Sequence, residues 1–84
     1  MGKRNKLEII KDILNIIKEN HNLKSTPLLR KSNLSSSIFK KYYSELVEKK
    51  LIRKETNIVK LTEKGRKYLE KYSTIINFIE EFEL

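Results

Sequence analysis

Thr26-Pro27-Leu28-Leu29-Arg30-Lys31-Ser32-Asn33-Leu34-Ser35-Ser36-Ser37-Ile38-Phe39-Lys40-Lys41-Tyr42-Tyr43-Ser44-Glu45-Leu46-Val47-Glu48-Lys49 holds two helix starts nine residues apart. Thr is a good N-cap and Pro is favoured at the first helical position, so Thr26-Pro27 predicts a short helix running through Lys31. Ser32-Asn33-Leu34 is a tight turn. Ser35 supplies a second cap, for a helix that runs to about Lys49. Phe39, Tyr42, Tyr43 and Leu46 recur at helical spacing and form its inner face, with Ile38 and Val47 at the margins. Leu34, in the turn, plugs the angle between the two helices.

Two helices joined by three or four residues make a helix-turn-helix arrangement. Upstream, Leu7, Ile10, Ile13, Leu14 and Ile17 predict a helix over residues 7–19, with Ile9 and Ile16 widening its apolar face. One neighbour needs a stripe of about 100°, so the extra width suggests two. Asn20-His21-Asn22 breaks the helix, and Leu23-Lys24-Ser25 is too short to classify, a small edge strand being one reading. Downstream, Leu51–Lys54 and Ile58–Leu61 read as strands around the polar turn Glu55-Thr56-Asn57, with Val59 and Leu61 on one face. Thr62 then caps a last helix, from Glu63 to about Leu84, roughly 33 Å long at 1.5 Å per residue. Along it Tyr68, Tyr72, Ile75, Ile79 and Phe82 are spaced 4, 3, 4, 3, with Leu69 and Ile76 alongside. That is coiled-coil spacing for about two heptads. The stripe either packs on the first helix of its own chain or faces a second copy. We favour the second copy, because the helix reaches past what so small a body covers and its apolar residues would otherwise be wet.

The chain has 84 residues, enough for one domain with a thin core. It has no Cys and one His, which removes disulfides, thiol chemistry and multi-histidine metal sites. No apolar run is long enough to span a membrane, and Met1-Gly2-Lys3-Arg4 leads into an amphipathic pattern without a signal-peptide core; a cytoplasmic protein is expected. No glycine-rich phosphate loop, paired catalytic carboxylates or nucleophile–base pair is present, so we expect no enzyme, cofactor, metal or small-molecule ligand. Net charge is +8, and it is unevenly spread: residues 1–72 carry all 19 basic residues against 8 acids, whereas Glu80, Glu81 and Glu83 leave the last 12 at −3. A basic body suits a polyanion, and the acidic end serves something else.

The order helix, helix, turn, helix, hairpin, helix resembles a winged helix-turn-helix domain: mainly α (α+β), with a long C-terminal dimerisation helix. Three stretches carry the resemblance: Leu34-Ser35 through Tyr42-Tyr43 to Leu46-Val47, Leu51-Ile52, and Leu61-Thr62-Glu63-Lys64-Gly65. In the last, Thr caps the helix and Gly allows close packing. The whole is most similar to archaeal ArnR-like winged helix-turn-helix proteins, which include small DNA-binding dimers paired through a C-terminal antiparallel coiled coil. The resemblance implies a DNA-binding domain over residues 1–62 and antiparallel dimerisation through 63–84, with Tyr68, Leu69, Tyr72, Ile75, Ile76, Ile79 and Phe82 at the interface. Two features depart from it. Such domains usually carry Gly where Lys50 stands, because that residue often turns left-handed, and the wing has no Gly.

In this class the third helix enters the major groove. Ser36, Ser37, Lys40, Lys41 and Ser44 fall at i, i+1, i+4, i+5 and i+8 and form one polar stripe opposite Phe39, Tyr42 and Leu46. Lys bonds guanine edges or phosphates, and Ser donates to either. No acid interrupts Ser36 to Ser44, whereas an ordinary solvent face mixes signs. Thr26, Arg30 and Lys31 offer phosphate clamps on the second helix, and Arg53, Lys54 and Lys60 line the wing, for the backbone or minor groove. These residues predict a homodimeric double-stranded-DNA-binding transcriptional regulator. Lys outnumbers Arg 15 to 4, which favours backbone contacts over bidentate base reading and keeps a low-specificity architectural protein in view. A protein-interaction winged helix in a larger assembly is a further alternative.

Overall fold

The structure, a computed structural model, describes residues 4–83. Met1 to Lys3, the start of the stretch without a signal-peptide core, and Leu84 lie outside them; the last helix ends at Glu81 with Phe82 as its C-cap, three residues short of the expected end near Leu84. The elements run α1 (Lys6–Glu19), α2 (Ser25–Ser32), α3 (Ser36–Glu48), β1 (Ile52–Glu55), β2 (Ile58–Leu61) and α4 (Glu63–Glu81). The chain is thus mainly helical, with one antiparallel hairpin and a long last helix, as the pattern predicted.

Local chemistry explains most of the boundaries. Asn5 and Glu8 form a reciprocal capping box at the start of α1, Ser35 Oγ accepts from the Ile38 N–H at 3.3 Å, and Thr62 Oγ accepts from the Gly65 N–H at 3.1 Å. Thr26 is not a cap. The N-cap of α2 is Lys24, and the Leu28 N–H already reaches the Lys24 carbonyl at 3.1 Å. Pro27 therefore sits at the third helical position, still within the first turn, where its missing N–H breaks no helical bond. The α2 helix ends on Asn33 in the left-handed region (φ 63°), a conformation that Asn tolerates.

The end of α3 is a Schellman motif. The Leu51 N–H bonds the Leu46 carbonyl at 2.9 Å and the Lys50 N–H bonds the Val47 carbonyl at 3.1 Å, with Lys50 left-handed at φ 63°. Because Leu51 closes that motif, the first strand begins one residue later than expected. Leu46 and Leu51, the two apolar residues such a motif brings together, are both buried. Thr62 locks the next junction: its hydroxyl donates to the carbonyls of Lys50 (2.6 Å) and Leu51 (3.0 Å) while it caps α4. A Cβ on Gly65 would run into the Leu51 carbonyl oxygen and the Leu61 side chain, so Gly is what lets α4 leave the hairpin so tightly.

Ile13, Leu14, Leu28, Leu46 and Ile52 are fully buried and join α1, α2, α3 and β1 in one core. The hairpin pairs Ile52 with Leu61 and Lys54 with Val59, so its inner face closes the core with Val59 and Leu61. Leu23 is buried and accepts one bond, from the Val59 N–H at 2.8 Å. One bond does not make the expected edge strand, but it does pin the loop after α1 to the wing. Arg4 ties α1 to α2 by bonding the Asp12 carboxylate (2.7 Å) and the Ser32 carbonyl (3.0 Å).

Candidate nucleic-acid interface

Helix α3 is held by Phe39 and Leu46 in the core, with Tyr42 and Tyr43 half-buried beside them. That docking turns Ser36, Ser37, Lys40, Lys41 and Ser44 outward, and all five are exposed. Lys40 and Lys41 form no ion pair among the described residues. The nearest acid in sequence, Glu45, is occupied elsewhere: Lys6 and Lys49 each reach it at 3.0 Å, and their hydrogen bonds hold its carboxyl below the usual range. Glu48 is different. It follows Lys41 by seven residues, two helical turns on the same face, and is exposed. The cationic stripe therefore ends on a carboxylate.

Thr26, Arg30 and Lys31 are exposed on α2. A groove of about 340 Å³ runs between α2 and α3, and Thr26, Ser36 and Lys40 share its walls with Leu29, Phe39 and Tyr43. The structure thus brings residues from both helices to one surface. The start of α2 has no side-chain cap, leaving first-turn N–H groups free to meet an anion. Tyr43 is a residue whose situation the sequence did not reveal. Its ring packs on Phe39 (5.5 Å between centroids), and its hydroxyl is sealed without a hydrogen-bond partner among the described residues. Burial pushes that phenol up from its ordinary value.

Arg53, Lys54 and Lys60 are exposed on the wing but not equivalent. Arg53 and Lys60 are cross-strand partners, and both bond Glu55, at 3.0 and 3.4 Å. One carboxylate therefore relieves a like-charge pair that would otherwise repel. Lys54 points to the other face and is in no ion pair among the described residues.

The apolar stripe of α4 divides. Tyr68 and Leu69 pack against the core, and the Tyr68 hydroxyl donates to the Leu7 carbonyl at 3.1 Å. Tyr72 lies under the Lys11 ammonium, 5.7 Å from the ring centroid, and Ile76 is half-buried. Beyond them Ile75 (58%), Ile79 (36%) and Phe82 (58%) are exposed. Phe78, at 56% and packed on Phe82 (4.8 Å), belongs with them. Its spacing, three after Ile75 and four before Phe82, already carried that signal.

Among the described residues no helix is long and apolar enough to cross a membrane, and no three potential metal ligands cluster. A family model described as winged helix-turn-helix matches residues 3–80. Two uncharacterized proteins of Methanocaldococcus jannaschii are similar to this chain. One is 36% identical over 77 residues, covering 92% of this chain and 36% of its own length. The other is 36% identical over 78 residues, covering 93% and 76%. The chain thus spans about a third of the first relative and three-quarters of the second.

Proposed function

This chain belongs to the winged helix-turn-helix family, and from that premise we propose that it is a double-stranded-DNA-binding transcriptional regulator of the archaeal ArnR-like kind, cytoplasmic and homodimeric. Residues 1–62 bind the duplex and 63–84 dimerise. Helix α3 enters the major groove, and the wing, residues 51–61, lies on the backbone or minor groove. The observation that carries this reading is the exposed face of α3, where Lys40 and Lys41 are in no ion pair among the described residues and Lys40 shares a groove with Thr26 of α2. Duplex titration of Lys40→Ala/Lys41→Ala tests it. We expect binding at least tenfold weaker at low salt and a shallower salt dependence. Unchanged binding refutes the reading, and no duplex affinity at all favours a protein-interaction role.

Two observations support an antiparallel dimer through α4. Ile75, Phe78, Ile79 and Phe82 form a bare apolar face. Charge is also polarised along the helix: residues 63–72 carry four cations and two acids, and 73–84 carry three acids and no cation. Acids at a helix C-terminus oppose the macrodipole. A parallel pair would set the acidic ends side by side, whereas an antiparallel pair sets each against the partner's basic half. Such a dimer presents two α3 helices to successive major grooves about 34 Å apart.

The preponderance of Lys favours a second reading, a low-specificity architectural protein. Competition against random DNA separates the two: a regulator prefers its site by about 10³ or more, and an architectural protein shows nearly none.

A further inference from the structure

A second basic surface shares Arg53 and Lys60 with the wing and extends to residues not assigned above. Lys18 near the end of α1, Arg66 in the first turns of α4, and Arg53 and Lys60 on the wing wall a groove of about 500 Å³, with His21 and Asn22 at its rim. No residue of α2 or α3 lines it, so it opens on a different flank from the α3 face. Glu63 is the one acid in its walls. Lys18 and Arg66 are in no ion pair among the described residues. The same two side chains also wall a second groove, of about 370 Å³ between α1 and α4, which continues the surface to Lys11. Lys11 and Lys18 are seven residues apart on one face of α1, about 10.5 Å along the axis. Arg53 and Lys60 share Glu55, Lys11 pairs with Asp12, and Glu63 and Glu70 line the walls. The cations that no carboxylate engages among the described residues are thus Lys18 and Arg66, where the two grooves meet, and there the potential attracts an extended anion.

We propose that this groove is a second track for the phosphate backbone, holding the duplex that flanks the α3 site. The inference rests on the DNA-binding reading and adds to it a contact that reading does not need. Continuity favours a flanking segment of the same duplex: Arg53 and Lys60 belong both to the wing and to this groove, so a backbone lying on the wing is led towards Arg66 and Lys18. To touch both flanks of one protomer the duplex must curve around the wing, and the added contacts offset the cost of bending. The acidic end of the same α4 is not a rival occupant. It lies about 22 Å along a rigid helix from Arg66.

The test compares a 20-bp duplex, long enough for two α3 half-sites, with a 40-bp duplex of the same centre. Proteins are the full chain, Lys18→Ala/Arg66→Ala, and a charge-matched control, Lys67→Ala/Lys71→Ala. We expect the log–log salt slope of the full chain to be steeper on 40 bp by about 2 per protomer, at about 0.9 for each phosphate. Lys18→Ala/Arg66→Ala should lose that increment and bind 20 bp as before, while the control keeps it. Equal loss on both lengths, or loss matched by the control, overturns the second track and leaves α3 binding intact. A fall in molecular mass of Lys18→Ala/Arg66→Ala also overturns it, because the groove then serves the partner's acidic end. Failure of the DNA-binding reading looks different: the full chain binds neither duplex, or Lys40→Ala/Lys41→Ala binds both unchanged, and the second track falls with it.

Discussion

The two halves of α4 carry the same apolar spacing and meet opposite fates. In the first half Tyr68 and Leu69 join the core. In the second, Ile75, Phe78, Ile79 and Phe82 stand in solvent. A 3–4 repeat specifies a face, not what covers it. Cover is a matter of reach. Helix α1 runs against the first half of α4, and past Tyr72, where Ile76 is still half-buried, no other element among the described residues covers Ile75, Phe78, Ile79 or Phe82. The first half is also anchored by groups that are not apolar: the Thr62 hydroxyl, the bare Cα of Gly65, and Lys64, whose ammonium bonds the Lys49 carbonyl at 2.9 Å.

The strongest way to break this contrast is at the anchor. Gly65→Ala pushes a methyl group into the Leu51 carbonyl and should cost about 3 kcal/mol, read as a thermal midpoint lowered by more than 10 °C. A small change would mean that α4 is not held where it leaves the hairpin. The complementary change is at the bare end. Ile75→Asp/Ile79→Asp should weaken self-association at least 100-fold, about 2.7 kcal/mol, measured by sedimentation, and leave far-UV helicity nearly intact. If these substitutions unfold the chain at concentrations where it is monomeric, the distal face is covered from within.

Asp12 sharpens the boundary between the halves. Its partial burial disfavours the charged form, but hydrogen bonds from Lys11 and Arg4 outweigh that and hold its carboxyl below the ordinary value of 3.8. Lys11 is raised in turn, first by its bond to Asp12, and it is the cation over Tyr72. A carboxyl lowered in the fold adds stability that is present above pH 3.8 and lost as pH falls through its folded value. Asp12→Asn should cost about 1 kcal/mol at pH 7 and flatten the acid limb of the stability profile. An unchanged acid limb would show that the bonds from Lys11 and Arg4 to Asp12 add nothing to the stability of the fold. The smallest effect has the opposite sign. Lys50→Gly relieves a left-handed non-glycine residue and should gain about 0.5–1 kcal/mol in chemical denaturation, tightening the joint that Thr62 closes; a loss would show that the Lys50 side chain contributes more than its backbone strain costs.

Much of the fold was legible because its signals are local. The Ser35 and Thr62 caps, the inner face Phe39–Leu46 and the Val59/Leu61 alternation each depend on residues within one or two turns, and all appear as expected. Misplacement occurred where one local signal fits several frames. Proline is tolerated throughout a first turn, so Thr26-Pro27 does not fix the start of α2, and Leu51 fits a strand pattern by its side chain while its N–H closes the end of α3. For the interface, the outward stripe of α3 followed from helical period alone. The capture of Glu45 by Lys6, from a helix some forty residues earlier, did not. Nor did the meeting of Lys18 with Arg66 across forty-eight residues of chain.

The amino-acid order by itself determined which faces exist: the apolar face that docks α3, the basic stripe opposite it, and the seam along α4, because each follows from the turn of one helix. Only the tertiary structure decided what those faces meet. It placed α1 against the first half of α4 and left the second bare, neutralised Glu45 and exposed Lys40 and Lys41, and gathered Lys18, Arg53, Lys60 and Arg66 around one groove. Contacts between distant segments depend on how the packed elements sit in space, and no periodicity within a segment encodes that.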